Sequence, residues 1–234
     1  MTFLTAAQSA AIRLVRRKPQ EFFSAQDVFS MEICDLANDV ARDIMRANEW
    51  RGLTKLKEMT GDGTSFAFSL PDDYDRMLIK GAVYRPDWNI WHYTPAKDLD
   101  EWQDLRNGAP TVSPGYWIIL AGQMQIWPPI PAATKAQFYY ISNACVKSAS
   151  GAAQAEFKAD TDNFVLDDEL LTLGIIWRWR AQNRLEYAED MANYEKALAE
   201  IAGRDKATRI MAVGRQTINA NVSTAYPWSL GGIS

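Results

Sequence analysis

The chain is short of nearly everything that catalysis and export draw on. Its 234 residues include a single histidine and two cysteines. His92 sits in an aromatic run, Trp91-His92-Tyr93, with no Glu or His partner at helical spacing. A histidine so placed is expected to pack or face solvent rather than bind metal. Cys34 and Cys145 are far apart and lack C-x-x-C spacing, which predicts free thiols, Cys34 as a small hydrophobe on a helix. No G-x-x-x-x-G-K, G-x-G-x-x-G or G-x-S-x-G occurs, so neither a phosphate cradle nor a nucleophile elbow is expected. There is no apolar run of about 18 residues, and hence no expected membrane span. The opening Met1-Thr2-Phe3-Leu4 lacks the basic-then-apolar layout of a signal peptide, and Arg13, Arg16, Arg17 and Lys18 come too late. A cytoplasm-like compartment is the expectation. Lys and Arg number 25 against 29 Asp and Glu, for a formal charge of −4. That balance argues against a general nucleic-acid-binding surface, though a mildly acidic protein can stand next to DNA without sticking to it.

Two groups of acids are present. Asp72, Asp73 and Asp75 follow Pro71, where acids fit a turn. Asp160 and Asp162 precede Asp167 and Asp168, where acids fit a helix start. Neither group has the Gly and Glu positions of a calcium loop, and no metal is expected. Asn221-Val222-Ser223 matches a glycosylation acceptor, which has no meaning without export.

Tryptophan is abundant, with nine residues. Trp88, Trp91, Trp102, Trp117 and Trp127 fall in the middle of the chain, where most are expected to build the core of a small twisted sheet. Strict alternation puts Trp117 on one face with Ile119, and Tyr116, Ile118 and Leu120 on the other, so both faces need cover. Trp177 and Trp179 pose the same question on a helix, because i and i+2 point to different sides. Rings on two faces predict a bundle interior or a subunit contact.

Periodicity divides the chain. A short helix is expected over 5–17, stopped by Pro19, and a stronger one over 30–48 with Ser30 as N-cap. Ile33, Leu36, Ala37, Val40, Ile44 and Ala47 form the second helix's apolar stripe. From 53 the period shortens. Gly61-Asp62-Gly63 predicts a hairpin between 53–59 and 65–68. Further strands are expected at 78–84, 89–93, 116–120, 123–127 and 137–141, with a helix over 95–106. Residues 146–159 read as a linker. Helix resumes at Asp167, with Leu166 and Leu171 as a staple and a break expected near 183–186. Leu185, Ala188, Met191, Ala192, Glu195 and Leu198 make the expected inner face of the second half. No internal repeat is present. The sum is an α+β protein: helices from 1–52 and 160–211, a β-rich insertion over 53–145, and an extended tail over 212–234.

The order of the short motifs resembles the head-to-tail adaptor proteins of tailed bacteriophages, the family that includes tail tubular protein A-like connectors. The residues that carry it are Asn48-Glu49-Trp50-Arg51-Gly52-Leu53, Gly61-Asp62-Gly63 and Leu70-Pro71-Asp72-Asp73-Tyr74-Asp75-Arg76. Gly115-Tyr116, the proline-ended strand over 122–129, Phe138-Tyr139-Tyr140 and the helix from Asp167 follow. The resemblance implies a bundle of about four helices with an antiparallel β-rich insertion. It implies a dodecameric ring at the virion neck, assembled in the host cytoplasm, that continues the DNA channel between a portal protein and tail, nozzle or neck proteins. It implies no enzyme activity, no cofactor and no membrane insertion. Trp88, Trp91, Trp117, Trp127, Trp177 and Trp179 become candidate interface residues. Arg209, Arg215, Tyr226 and Trp228 join them in a tail expected to order on docking to the portal. From the residues alone two other classes stay open. One is an aromatic-rich carbohydrate- or ligand-binding module, which needs tryptophans exposed in a groove. The other is a metal-dependent hydrolase on the Asp groups.

Overall fold

The structure, a computed structural model, describes residues 2–88, 91–108 and 114–205. Helices α1 (Phe3–Val15) and α2 (Val28–Ala47) open the chain, and a 3-10 turn at Arg51–Leu53 leads into a sheet-rich middle. There β1 (Thr54–Thr60), β2 (Ala67–Ser69), β3 (Tyr74–Met77), β4 (Val83–Tyr84) and β5 (His92–Pro95) precede helix α3 (Leu99–Arg106). Strands β6 (Tyr116–Leu120), β7 (Gln123–Trp127) and β8 (Lys135–Ser142) complete it. The short strands β9 (Val146–Lys147), β10 (Ala153–Gln154) and β11 (Asn163–Phe164) follow, and α4 (Asp168–Gln182) and α5 (Ala188–Asp205) close the described chain. The class is α+β.

Helix α4 packs on α1, α2 and α5. Its first half buries Leu170, Leu171, Thr172, Gly174, Ile175 and Ile176, apolar on every side, as a helix enclosed by others must be. Gly174 lets α2 approach, since a Cβ there would overlap Val40 Cγ1. Helix α1 presents Phe3, Ala6, Ala7, Ala10 and Ala11 to the same core. Its first N–H groups would be orphans. Phe3 and Leu4 instead donate to the carbonyls of Asp162 (2.7 Å) and Asp160 (3.1 Å). Asp27, not Ser30, caps α2: its carboxylate accepts from Ser30 N at 3.1 Å. The stripe from Ile33 to Ile44 is buried as expected, whereas Ala47 is exposed because the helix ends there and Trp50 fills the space. Trp50 is 2% exposed and donates from Nε1 to Ile44 O at 2.6 Å. The expected break falls between α4 and α5, with Arg184 in the left-handed region (φ 57°). Helix α5 packs through Tyr194, Ala197, Leu198, Ile201 and Ala202. Leu185, Met191, Ala192 and Glu195 of the expected face are exposed, so the true face is rotated and shares only Leu198.

The main sheet runs β1-β8-β4-β5-β6-β7-β2, with β3 also paired to β8. Only the β5–β6 pair is parallel, and α3 lies in the crossover that a parallel pair requires. The hairpin expected at Gly61-Asp62-Gly63 does not form: β1 pairs with β8 and β2 with β7. Gly61 instead crosses the β7–β8 loop. Its N–H donates to Thr134 O (2.8 Å), its carbonyl accepts from Ala133 N (3.1 Å), and any side chain there would strike the Ile130 carbonyl. These bonds tie the β1–β2 connection to the β7–β8 loop. The curled sheet encloses Met59, Val83, Tyr93, Trp117, Met124, Ile126, Ile130, Ala136, Phe138 and Tyr140. The β6–β7 turn at Ala121-Gly122 has both residues at positive φ (49° and 72°), the two-residue geometry that matches strand twist.

Of the strand expected over 78–84 only Val83 and Tyr84 are extended, and 78–82 make a turn. Asn89 and Ile90 lie outside the described residues, and β5 starts at His92. Residues 146–159 are more than a linker. They hold β9 and β10 of a three-stranded sheet, and Val146 and Phe157 sit in the helical core. Strand β8 reaches the same core through Ile141, and Arg76 of β3 donates to the α2-terminal carbonyls of Asn48 (2.8 Å) and Met45 (3.3 Å).

Candidate functional site

Asp73, Asp75, Asp160, Asp162 and Asp167 spend their carboxylates on the fold. Asp73 accepts from Lys55 Nζ (2.5 Å), Ser142 Oγ (2.6 Å) and the Tyr140 hydroxyl (2.9 Å). Burial alone would raise its pKa, but these hydrogen bonds outweigh it and hold the carboxyl at about 2. Asp75 pairs with Arg76 at 2.6 Å. The Asp160 carboxylate accepts from Phe22 N and Phe23 N, and that of Asp162 from Lys158 N and Ala159 N. Asp167 caps α4 through Glu169 N and Leu170 N. Among the described residues no three His, Cys, Asp or Glu side chains gather as metal ligands would. His92 is exposed beside Tyr84. Burial pushes the Cys34 thiol up to about 12 and the Cys145 thiol up to about 11, which leaves them poor nucleophiles.

The tryptophans are dispersed. Trp117 is buried inside the curled sheet, and Trp127 is half-buried on β7. Trp88 stacks on Tyr93 with ring centroids 5.0 Å apart, and the Arg85 guanidinium lies 4.4 Å from its ring centre. On α4 the two rings separate as i and i+2 must: Trp177 meets Tyr194 of α5, while Trp179 meets Phe29 of α2 and donates to Glu32 at 3.1 Å. Trp91 alone of the six is largely exposed, at 59%. A sugar platform needs several rings along one groove, and these do not converge. Arg209, Arg215, Tyr226 and Trp228 lie outside the described residues, as does Asn221.

What sequence reasoning missed is apolar surface of another kind. A groove of about 860 Å³ opens where the end of α1, the start of α2 and the end of α4 meet. Val15, Val28, Phe29 and Trp179 form its apolar floor. Arg17 and Lys18, just after α1, and Asp27 and Glu32, at the start of α2, also line it. Val28 is 67% exposed and Met31, one turn on, 54%. On the sheet's outer face Leu56 and Tyr139 are cross-strand partners, and both are exposed. Ile79 is 90% exposed at the tip of the β3–β4 turn. The signal for Val28 and Met31 was available, as large apolar residues off the α2 stripe. Ile79 was hidden because an apolar residue in a β-type stretch reads as strand.

Side chains arranged in this way offer contact surface for other chains. A family model described as SU10 adaptor protein matches residues 1–217. No curated protein matches the chain.

Proposed function

The chain belongs to the SU10 adaptor family, and we propose that it is the structural head-to-tail adaptor of a tailed phage virion. The family match over 1–217 is the observation that carries this reading. It reaches adaptor class without distinguishing the tail tubular protein A-like connectors. In the proposed role, copies form a ring, a dodecamer by the resemblance, between portal and tail or neck proteins, and the ring's bore continues the DNA path. Helices α1, α2, α4 and α5 act as one bundle, 53–145 as an inserted β-rich domain, and 212–234 as the arm that meets the portal.

Three features support it. Exposed apolar side chains at Val28, Met31, Ile79 and the Leu56–Tyr139 pair are available to neighbouring chains. The net charge of −4 suits a wall that DNA passes without adhering. Asp160 and Asp162 are tied to backbone donors, and Asp73 to Lys55. Among the described residues no helix is long and apolar enough to cross a membrane.

Deletion of 212–234 tests the arm. The shortened protein is expected to keep the circular dichroism of the full chain and to lose co-sedimentation with its portal protein. Portal binding at full strength by the truncated chain would overturn the assignment.

A further inference from the structure

We propose that the turn tip at Ile79 and Lys80 of one copy seats in the groove between α1, α2 and α4 of a second copy, and that this contact builds the ring. The inference deepens the assembly reading above and rests on it.

A single exposed aliphatic residue needs no explanation in general. This one is held in place. Leu78 is packed against the helical core, and Ile79 N donates to the Glu49 carboxylate. Gly81 N donates to Leu78 O at 2.8 Å, and a side chain at position 81 would press on that carbonyl at 2.9 Å. A tip fixed on both sides loses little conformational entropy when it docks.

Tip and groove match in charge as well as in apolar character. Ile79 is flanked by Lys80, which has no acceptor among the described residues, and by the carboxylate of Glu49. The groove's apolar side chains are joined by acids, Asp27 and Glu32, at the start of α2 and by bases, Arg17 and Lys18, just after α1. Lys80 against those acids and Glu49 against those bases set two opposite-sign pairs around one apolar contact. Such pairs fix register and exclude wrong partners.

A chain cannot fill its own groove. Glu49 follows the C-terminal end of α2, whereas the groove lies at its N-terminal end. Twenty residues of helix separate the two by about 30 Å. Because tip and groove are different patches, every copy added leaves one of each unfilled. Contacts of this heterologous kind propagate, and they close into a ring when the rotation between copies allows it.

The test is a disulfide between copies. The full chain carrying both Ile79→Cys and Val28→Cys is oxidised, alone and with its portal protein, and run without reductant, while native mass is measured in parallel. Cys34 and Cys145 give little background because burial disfavours their thiolates. The expected result is a ladder of covalent dimers, trimers and larger species that collapses on reduction and is absent from either single variant. A ring by mass with no ladder would overturn this contact and leave the adaptor reading standing. A covalent dimer from Ile79→Cys alone would mean that tips meet tips, and would overturn it too. Neither ring nor ladder would remove both.

Discussion

Asp73 shows how a residue that looks catalytic can be structural. Its folded pKa of about 2 lies below the usual unfolded carboxylate value of about 3.9. The stability it supplies is therefore complete above about pH 4 and is lost as the pH falls through 2. Asp73→Asn is expected to cost about 1.5 kcal/mol at pH 7, the low end for charged hydrogen bonds because the site is partly solvated. Urea midpoints at pH 7, 4 and 2.5 check this, and the gap from the unaltered protein should narrow on acidification. A constant gap would mean that the amide loses packing, not charge. Gly174→Ala tests the closest helix approach. Overpacking against Val40 costs about 1–3 kcal/mol, against about 1 kcal/mol gained in helix propensity, so a net loss is expected in thermal unfolding. At this scale the sequence was a mixed guide. The acids were legible as turn and helix-start residues. Their partners, up to 138 positions away as for Asp160 and Phe22, were not.

Elements fixed by local signals were the more legible ones. Strands β6 and β7 occupy the expected residues, because a two-residue turn with a glycine and the strands it joins are local in sequence. The α4–α5 break was marked by polar residues within a long helical pattern. The Gly61-Asp62-Gly63 signal failed for a physical reason: it specifies a turn but not which strands the turn will join. Pairing of β1 with β8, across which Lys135 reaches the Glu58 carboxylate 77 positions away, was decided by the shared interior around Phe138. Residues 146–159 misled because small polar residues also build short edge strands. The cap on α4 makes the element-scale prediction. Asp167→Ala should cost about 1 kcal/mol and lower the unfolding temperature without altering the fold, since Glu169 N and Leu170 N lose their acceptor. An unchanged midpoint would place the start of α4 elsewhere.

For the whole molecule, what a single chain leaves uncovered says as much as what it buries. Ile79, the Val28 groove and the Leu56–Tyr139 pair are all left open by the single chain. In the proposed ring, neighbouring copies and the portal and tail proteins would cover them. The adaptor class, though not the particular family, was legible from the order of short motifs, since these mark the junctions between helical core and sheet: Trp50 under α2, Arg76 on its carbonyls and Asp167 at the start of α4. The contact surfaces were not, because exposure is a property of the folded chain. The central claim is that this chain assembles with its own kind at a portal. Native mass spectrometry of the full chain, alone and mixed with its own portal protein, tests that claim most directly. The account predicts a closed multiple of the chain mass carried on the portal ring, and a single-chain mass unchanged by portal would contradict it.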